Sequence, residues 1–225
     1  MPTETSLYAD GDNLRDHLGV LNLDRLRNAP LCRNPFDFVV VEDFVHHDAL
    51  TQAVADFPDI GGHGSFPIDV LECGPAFLRL VAALTGPPLR GAIEEKFDVD
   101  LGGRPTMVTV RGWSDGKDGQ IHTDSESKII TLLLYLNPAW DCAEGRLRLL
   151  RNADDIENYA REVAPVAGTM LAFRRSDKSF HGHRPHAGER RMLQMNWVTE
   201  AAVVRRELSR HRWSARLKAL NPFAA

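Results

Sequence analysis

Residues 121–140 read IHTDSESKIITLLLYLNPAW. A histidine and an aspartate two positions apart open the stretch, and an almost wholly apolar run, KIITLLLYL, follows. That run is far too short to span a bilayer. Its length and its Ile, Thr and Tyr content predict a buried β-strand. On extended backbone, residues i and i+2 project to the same face. His122 and Asp124 therefore deliver an imidazole nitrogen and a carboxylate oxygen to one point. The pair is two-thirds of the facial set, two histidines and one carboxylate, that holds Fe(II) with open positions opposite. Alone it reads better as a hydrogen-bonded surface pair, so a third ligand decides the matter.

Outward from this strand, the chain after Gly103 is a series of short strand-like runs: TMVTVRGW, GRLRLL, EVAPVAG, TMLAFRR and RRMLQMNWV. SDGKDG, NPAW and AGE punctuate them, and DDIENYARE reads as a short helix. Many short strands at this spacing predict a sandwich or jelly roll. Before Gly103 the pattern is mainly helical, in DHLGVLNLDRLRNA, DALTQAVADF, PAFLRLVAAL and PPLRGAIEEKF, with Asp48 suited to an N-cap. Between the first two lies FVVVEDF, a β-branched run read as a strand. The expectation is one domain over 1–225: helical support with an early strand in 1–103, a jelly-roll core in 104–199, and a basic C-terminal helix in 200–225.

Composition fits a soluble globular protein, with 43% apolar and 26% charged residues. Net charge is −4, but residues 201–225 carry +5 and the remainder −9. An acidic body with a basic tail does not match the footprint of a nucleic-acid binder. The tail AAVVRRELSRHRWSARLKAL is expected to pack Val204, Leu208 and Leu217 on the domain and to solvate its arginines. Weak contact with an anionic membrane surface or an acidic partner is the alternative. The start of the sequence has no secretory pattern, and Cys32, Cys73 and Cys142 form no disulfide framework or CxxC site. The cytoplasm is the expected compartment.

A third ligand is available in SFHGHRPHAGERR, which holds His181, His183 and His186 about sixty residues further on. This cluster follows an apolar strand and a polar loop, a position from which a facing strand can close the triad. Arg190 and Arg191 then open the last strand. A buried arginine at a barrel mouth needs an anion, and its planar fork matches a carboxylate.

In combination, HxD, KIITLLLYLNPAW, GRLRLL, PVAGTMLAF and SFHGHRPHAGERR with Trp197 resemble the Fe(II)/2-oxoglutarate-dependent dioxygenases, in the prolyl-hydroxylase-like branch. The resemblance spans roughly residues 38–198. It implies a double-stranded β-helix (jelly-roll) core, Fe(II), 2-oxoglutarate and O2. It implies iron ligands His122, Asp124 and His181, the last chosen because Pro185 sits four residues beyond it. Arg191, ten residues after His181 and six before Trp197, is implied as the cosubstrate anchor, with Arg190 in reserve and Tyr135 as its helper. His183 and His186 are then loop or rim residues. The chain departs from the branch at Glu144-Gly145, where a Gly-Gly pair is frequent, and at Arg111, where a pocket tyrosine is frequent. Arg111 is expected to form an ion pair with Asp115 or Glu126, or to touch cosubstrate or an acidic substrate. The implied activity is hydroxylation of a C–H bond, with release of succinate and CO2, on a small metabolite, a saccharide or lipid-linked intermediate, or a peptidyl side chain. Two competing readings are a non-catalytic metal- and 2-oxoglutarate-binding module and a cupin-type centre ligated by His181 together with His183.

Overall fold

A computed structural model describes residues 19–220, with side-chain surroundings as far as residue 210. The helical support is α1 (Leu23–Asn28), α2 (His47–Ala55), α3 (Pro75–Thr85) and α4 (Pro87–Phe97). Helix α1 is shorter than its periodicity predicts. Asn22 caps it, accepting from the Arg25 N–H at 3.2 Å, and Leu21 before it pairs with Val45 as an isolated bridge. Residues 16–18 of that predicted run lie outside the described residues. His46, not Asp48, is the N-cap of α2; Asp48 sits in the first turn, where a carboxylate still favours the helix dipole. Pro75 and Pro87 start α3 and α4, where a missing N–H costs nothing.

The strands are β1 (Phe38–Val41), β2 (Phe66–Pro67), β3 (Thr106–Ser114), β4 (Lys128–Tyr135), β5 (Leu147–Leu150), β6 (Tyr159–Val163), β7 (Met170–Arg174), β8 (His181–Gly182) and β9 (Gly188–Val198). A six-stranded sheet has the order β1-β7-β4-β9-β3-β2, and a three-stranded sheet the order β6-β5-β8. All these pairs are antiparallel. The two sheets face each other as a double-stranded β-helix, as the strand spacing predicted. DDIENYARE is not a helix: residues 151–158 are turns, and Tyr159 begins β6, paired with β5. Arg148 holds this segment down through Glu157 and Glu162, each at 2.7 Å. Strands β2 and β8 are two residues long, too short to leave a periodic signal.

Two cores flank the large sheet. One lies against the helices and buries Leu132 and Leu134 of β4, Leu193, Met195 and Trp197 of β9, and Phe77, Leu80 and Leu84 of α3. The other lies between the sheets and buries Leu133 and Tyr135 of β4, Leu171 and Phe173 of β7, Leu147 and Leu149 of β5, and Met192 of β9. Period-two alternation thus sends neighbours on one strand into different cores. Burial of each such side chain is worth about 1.5–3 kcal/mol.

Helix α5 (Ala201–Leu220) closes the described chain against β2, β3 and β9. Val203 is its buried apolar residue; Val204 and Leu208 are half-buried, and Leu217 lies outside the described side chains. No described helix is long and apolar enough to cross a membrane.

Candidate metal centre

The small sheet extends past β8 through a bridge between His122 and His181, which exchange backbone hydrogen bonds of 3.1 and 2.9 Å. The two histidines are therefore cross-strand neighbours although 59 residues separate them. Their rings lie 4.3 Å apart at 56°. Asp124, two residues past His122, joins them, and one ligand atom from each of the three lies within 4.8 Å of the others. His181 and Asp124 are buried and His122 is exposed, so the cluster has one face toward solvent.

The ring orientations are fixed from behind. Nδ1 of His122 lies 2.8 Å from the Gln120 carbonyl, and Nδ1 of His181 lies 2.9 Å from the Ser179 carbonyl. A carbonyl only accepts, so Nδ1 carries the proton in each ring and Nε2 is left with its lone pair, the form that binds a metal. Burial pulls the His181 pKa down to about 4, partly opposed by the Asp124 charge. His181 is therefore neutral and available for ligation at pH 7. Phe173 packs 4.8 Å from the His181 ring and walls the site with a group that offers no competing ligand.

Asp124 is held at both oxygens. Oδ1 lies 2.7 Å from the Lys128 ammonium, and Oδ2 accepts from the Thr131 hydroxyl at 2.5 Å. Asn196 donates to Thr131 at 2.8 Å, and Gln194 donates to Asn196 at 3.0 Å. Burial acts to raise the Asp124 pKa, but the charge of Lys128, that of His181 once it is protonated at acid pH, and these hydrogen bonds outweigh it and hold the carboxyl below its ordinary value. Sequence reasoning missed Lys128, Thr131, Gln194 and Asn196. Gln194 and Asn196 left a signal, two polar residues at alternate positions of an otherwise apolar strand, and Thr131 is a lone polar residue within an apolar run.

The second feature is Arg190. It is 3% exposed and points between the sheets. Its Nε donates to the Gly145 carbonyl at 3.0 Å, another nitrogen lies 3.1 Å from the Met192 sulfur, and it sits 5.4 Å from the Tyr135 ring. It makes no ion pair among the described residues. The Tyr135 hydroxyl is fully buried and lacks a hydrogen bond of good geometry. Burial raises the tyrosine pKa against the pull of Arg190, and burial likewise lowers that of Arg190. A buried guanidinium beside an orphaned hydroxyl is the arrangement that an incoming carboxylate completes.

Arg191 goes the other way. Its side chain lies on the helix-facing side of β9, 2.6 Å from Glu189 and 5.3 Å from the Phe57 ring. The spacing that favoured Arg191 is thus corrected by strand parity: Arg190, the reserve candidate, is the arginine inside. Arg111 pairs with Asp118 at 3.0 Å, rather than with Asp115 or Glu126, and approaches Ser65 at 3.5 Å. Asp118 is the partner because the turn after β3 folds back on the strand, the Asp115 N–H donating to the Asp118 carboxylate at 3.1 Å. His183 is not a rim residue. It is 6% exposed, its Nδ1 hydrogen-bonds the Arg184 carbonyl at 2.9 Å, and burial lowers its pKa to about 4. His186 packs against Trp140, the rings 4.7 Å apart and tilted by 53°, and is no member of the cluster.

Residues 108–199 match the 2OG-Fe(II) oxygenase superfamily. The fold is similar to that of a Pseudomonas putida prolyl-4-hydroxylase, at 20% identity over 79% of this chain and 93% of that one, with a TM-score of 0.51. A prolyl 4-hydroxylase from Phytophthora capsici is similar at 21% identity over 84% of this chain and 70% of that one, TM-score 0.51. HygX from Streptomyces hygroscopicus, solved with nickel and 2-oxoglutarate bound, is similar at 12% identity over 73% and 83%, TM-score 0.50. No curated protein matches the sequence. At these identities the solved structures establish the shared double-stranded β-helix, and the superfamily match covers residues 108–199, the segment that holds His122, Asp124 and His181. The donor set fits the metal: two imidazoles and one carboxylate, converging with an open side.

Proposed function

We propose that this protein is a 2OG-Fe(II) oxygenase, a hydroxylase in which His122, Asp124 and His181 hold the iron and Arg190, with Tyr135, holds the far carboxylate of 2-oxoglutarate. The observation that carries the reading is the coincidence of a three-ligand cluster with a buried arginine that has no ion pair among the described residues, both packed on side chains of the inter-sheet side of the large sheet. Fe(II) bound here, with 2-oxoglutarate and O2, supplies the oxidant that converts a C–H bond into C–OH with release of succinate and CO2.

The protein's own residues bind, orient and exclude water. His122, Asp124 and His181 would hold the metal, with the solvent-facing side of the cluster open for cosubstrate and oxygen. Arg190 offers a charge-assisted, two-pronged grip on a carboxylate, and Tyr135 adds a hydroxyl donor. Leu133, Leu171 and Phe173 keep the space between the sheets dry. The substrate is a small metabolite, a saccharide or lipid-linked intermediate, or a peptidyl side chain. The prolyl side chain named by the similar structures is one member of the last class.

Anaerobic titration of 2-oxoglutarate into the Mn(II)-loaded protein tests the anchor. Arg190→Ala is expected to weaken binding about 100-fold, the scale of a lost buried charge-assisted pair. Arg191→Ala is expected to stay within about three-fold, as a partly exposed ion pair is worth little. Equal losses, or the reverse order, refute the assignment. Succinate release paired with a product heavier by one oxygen, screened across the substrate classes, tests the reaction.

A further inference from the structure

The Asp124 carboxylate carries a cation of its own. The chain turns back after Asp124, with the Lys128 N–H donating to the Ser125 carbonyl at 3.0 Å and the hydroxyls of Ser125 and Ser127 3.1 Å apart. This turn lays the Lys128 ammonium 2.7 Å from Asp124 Oδ1, with side chains 15% and 7% exposed. Arg175 is the other cation nearby. It donates to the Asp124 backbone carbonyl at 3.2 Å, while its charge is met by Asp177 at 2.9 Å. Thr131 and Asn196, on the other side of the carboxylate, are neutral. Among the described residues, Lys128 alone forms an ion pair with Asp124.

A carboxylate buried without a counter-charge is strongly destabilising. A divalent metal supplies that counter-charge when it binds, and Lys128 supplies it when no metal is present. The two cations then meet at one carboxylate. With the Lys128 and Asp124 side chains both largely buried, their mutual repulsion is screened less than at a surface.

Resting on the metal centre proposed above, we infer that Lys128 is a resident counter-ion. It keeps the metal-free cluster folded and holds the affinity for divalent metal down, so that the metal remains exchangeable. The signature is a pair of opposite effects from one substitution. Loss of a merely structural lysine weakens both the fold and the metal site. Loss of a counter-ion weakens the metal-free fold and tightens the metal.

The experiment is Mn(II) titration by calorimetry on the metal-free full chain, with thermal melts before and after metal. Lys128→Met is expected to lower the metal-free Tm and to tighten Mn(II) binding by about ten-fold, the effect of removing one like charge from a low-dielectric site. Lys128→Arg keeps the charge and is expected to bind Mn(II) within about three-fold of wild type. Unchanged or weaker Mn(II) binding in folded Lys128→Met overturns the inference. Should Lys128→Met not fold, the double variant Lys128→Met/Asp124→Asn decides. The neutral pair is expected to restore most of the metal-free Tm, and a double variant as unstable as Lys128→Met overturns the inference. Failure of the wild-type chain itself to bind Mn(II) refutes the metal centre instead, a separate result that needs no variant.

Discussion

The two faces of the six-stranded sheet are built from the same strands and do different work. On β9, Leu193, Met195 and Trp197 pack against the helices, while Arg190, Met192, Gln194 and Asn196 look toward the small sheet. On β4, Leu132 and Leu134 face the helices, and Thr131, Leu133 and Tyr135 face the other way. The helix face is closed chiefly by apolar contact, with the Arg191–Glu189 ion pair as a polar exception. The inter-sheet face mixes apolar walls with polar groups that are tied to one another or, at Tyr135, left open. The larger apolar core therefore lies on one side of the sheet and the candidate metal centre on the other, with a thickness of one strand between them. Substitutions one residue apart should divide into two phenotypes.

The largest effect expected is at His181. His181→Ala removes one of three converging ligand atoms and should abolish measurable Fe(II) or Mn(II) binding in anaerobic calorimetry. His183→Ala, two residues along the same segment, should bind metal within about five-fold of wild type, because the His183 ring is engaged with the Arg184 carbonyl and is no member of the cluster. Loss of metal in His183→Ala with retention in His181→Ala would break the comparison and favour a cupin-type centre. On the opposite face, Leu193→Ala should leave metal affinity unchanged and cost about 3 kcal/mol of unfolding free energy in urea, the typical loss for a fully buried leucine. A cost below about 1 kcal/mol would show that the helix face is not where stability is concentrated.

Much of this division is legible in the amino-acid order. Short strands separated by Gly- and Pro-rich turns announce a jelly roll, and HxD followed by a distant histidine cluster announces a metal. What the spacing could not supply was parity. Counting from His181 and Trp197 selects Arg191. Alternation selects Arg190, because Arg190, Gln194 and Asn196 share one face and Leu193, Met195 and Trp197 share the other. Alternation is the physical constraint, since a one-residue shift carries a side chain through the sheet. Lys128 escaped for a different reason. At the head of an apolar strand it reads as an ordinary solvated lysine, and only the tight turn from Asp124 shows it facing inward. DDIENYARE carries helical periodicity, yet Arg148, buried on β5, draws Glu157 and Glu162 to itself and fixes the segment as a turn and strand. A charge partner distant in sequence leaves no trace in a local window.

The smallest effect tests the same division through pH. His181 and His183, both on the chemical side, have pKa values lowered by burial to about 4, against an ordinary 6.5. As pH falls below about 6.5, the unfolded chain takes up these protons before the native chain does. Stability from the buried neutral rings is therefore complete above that pH, declines through the window down to about 4, and is lost no further below it. Each histidine contributes a slope of at most about 1.4 kcal/mol per pH unit. Asp124, held below its ordinary value, adds a separate loss only at more acid pH, where its native carboxyl protonates. Urea unfolding of metal-free protein between pH 7 and pH 4.5 should show the decline, and His183→Gln should reduce its slope by about half. The Leu193→Ala variant should run parallel to wild type across the same range, displaced by its constant packing cost. A pH dependence altered by Leu193→Ala and untouched by His183→Gln would mean that the two faces are not energetically separate, and that the polar network and the helix core unfold as one coupled unit.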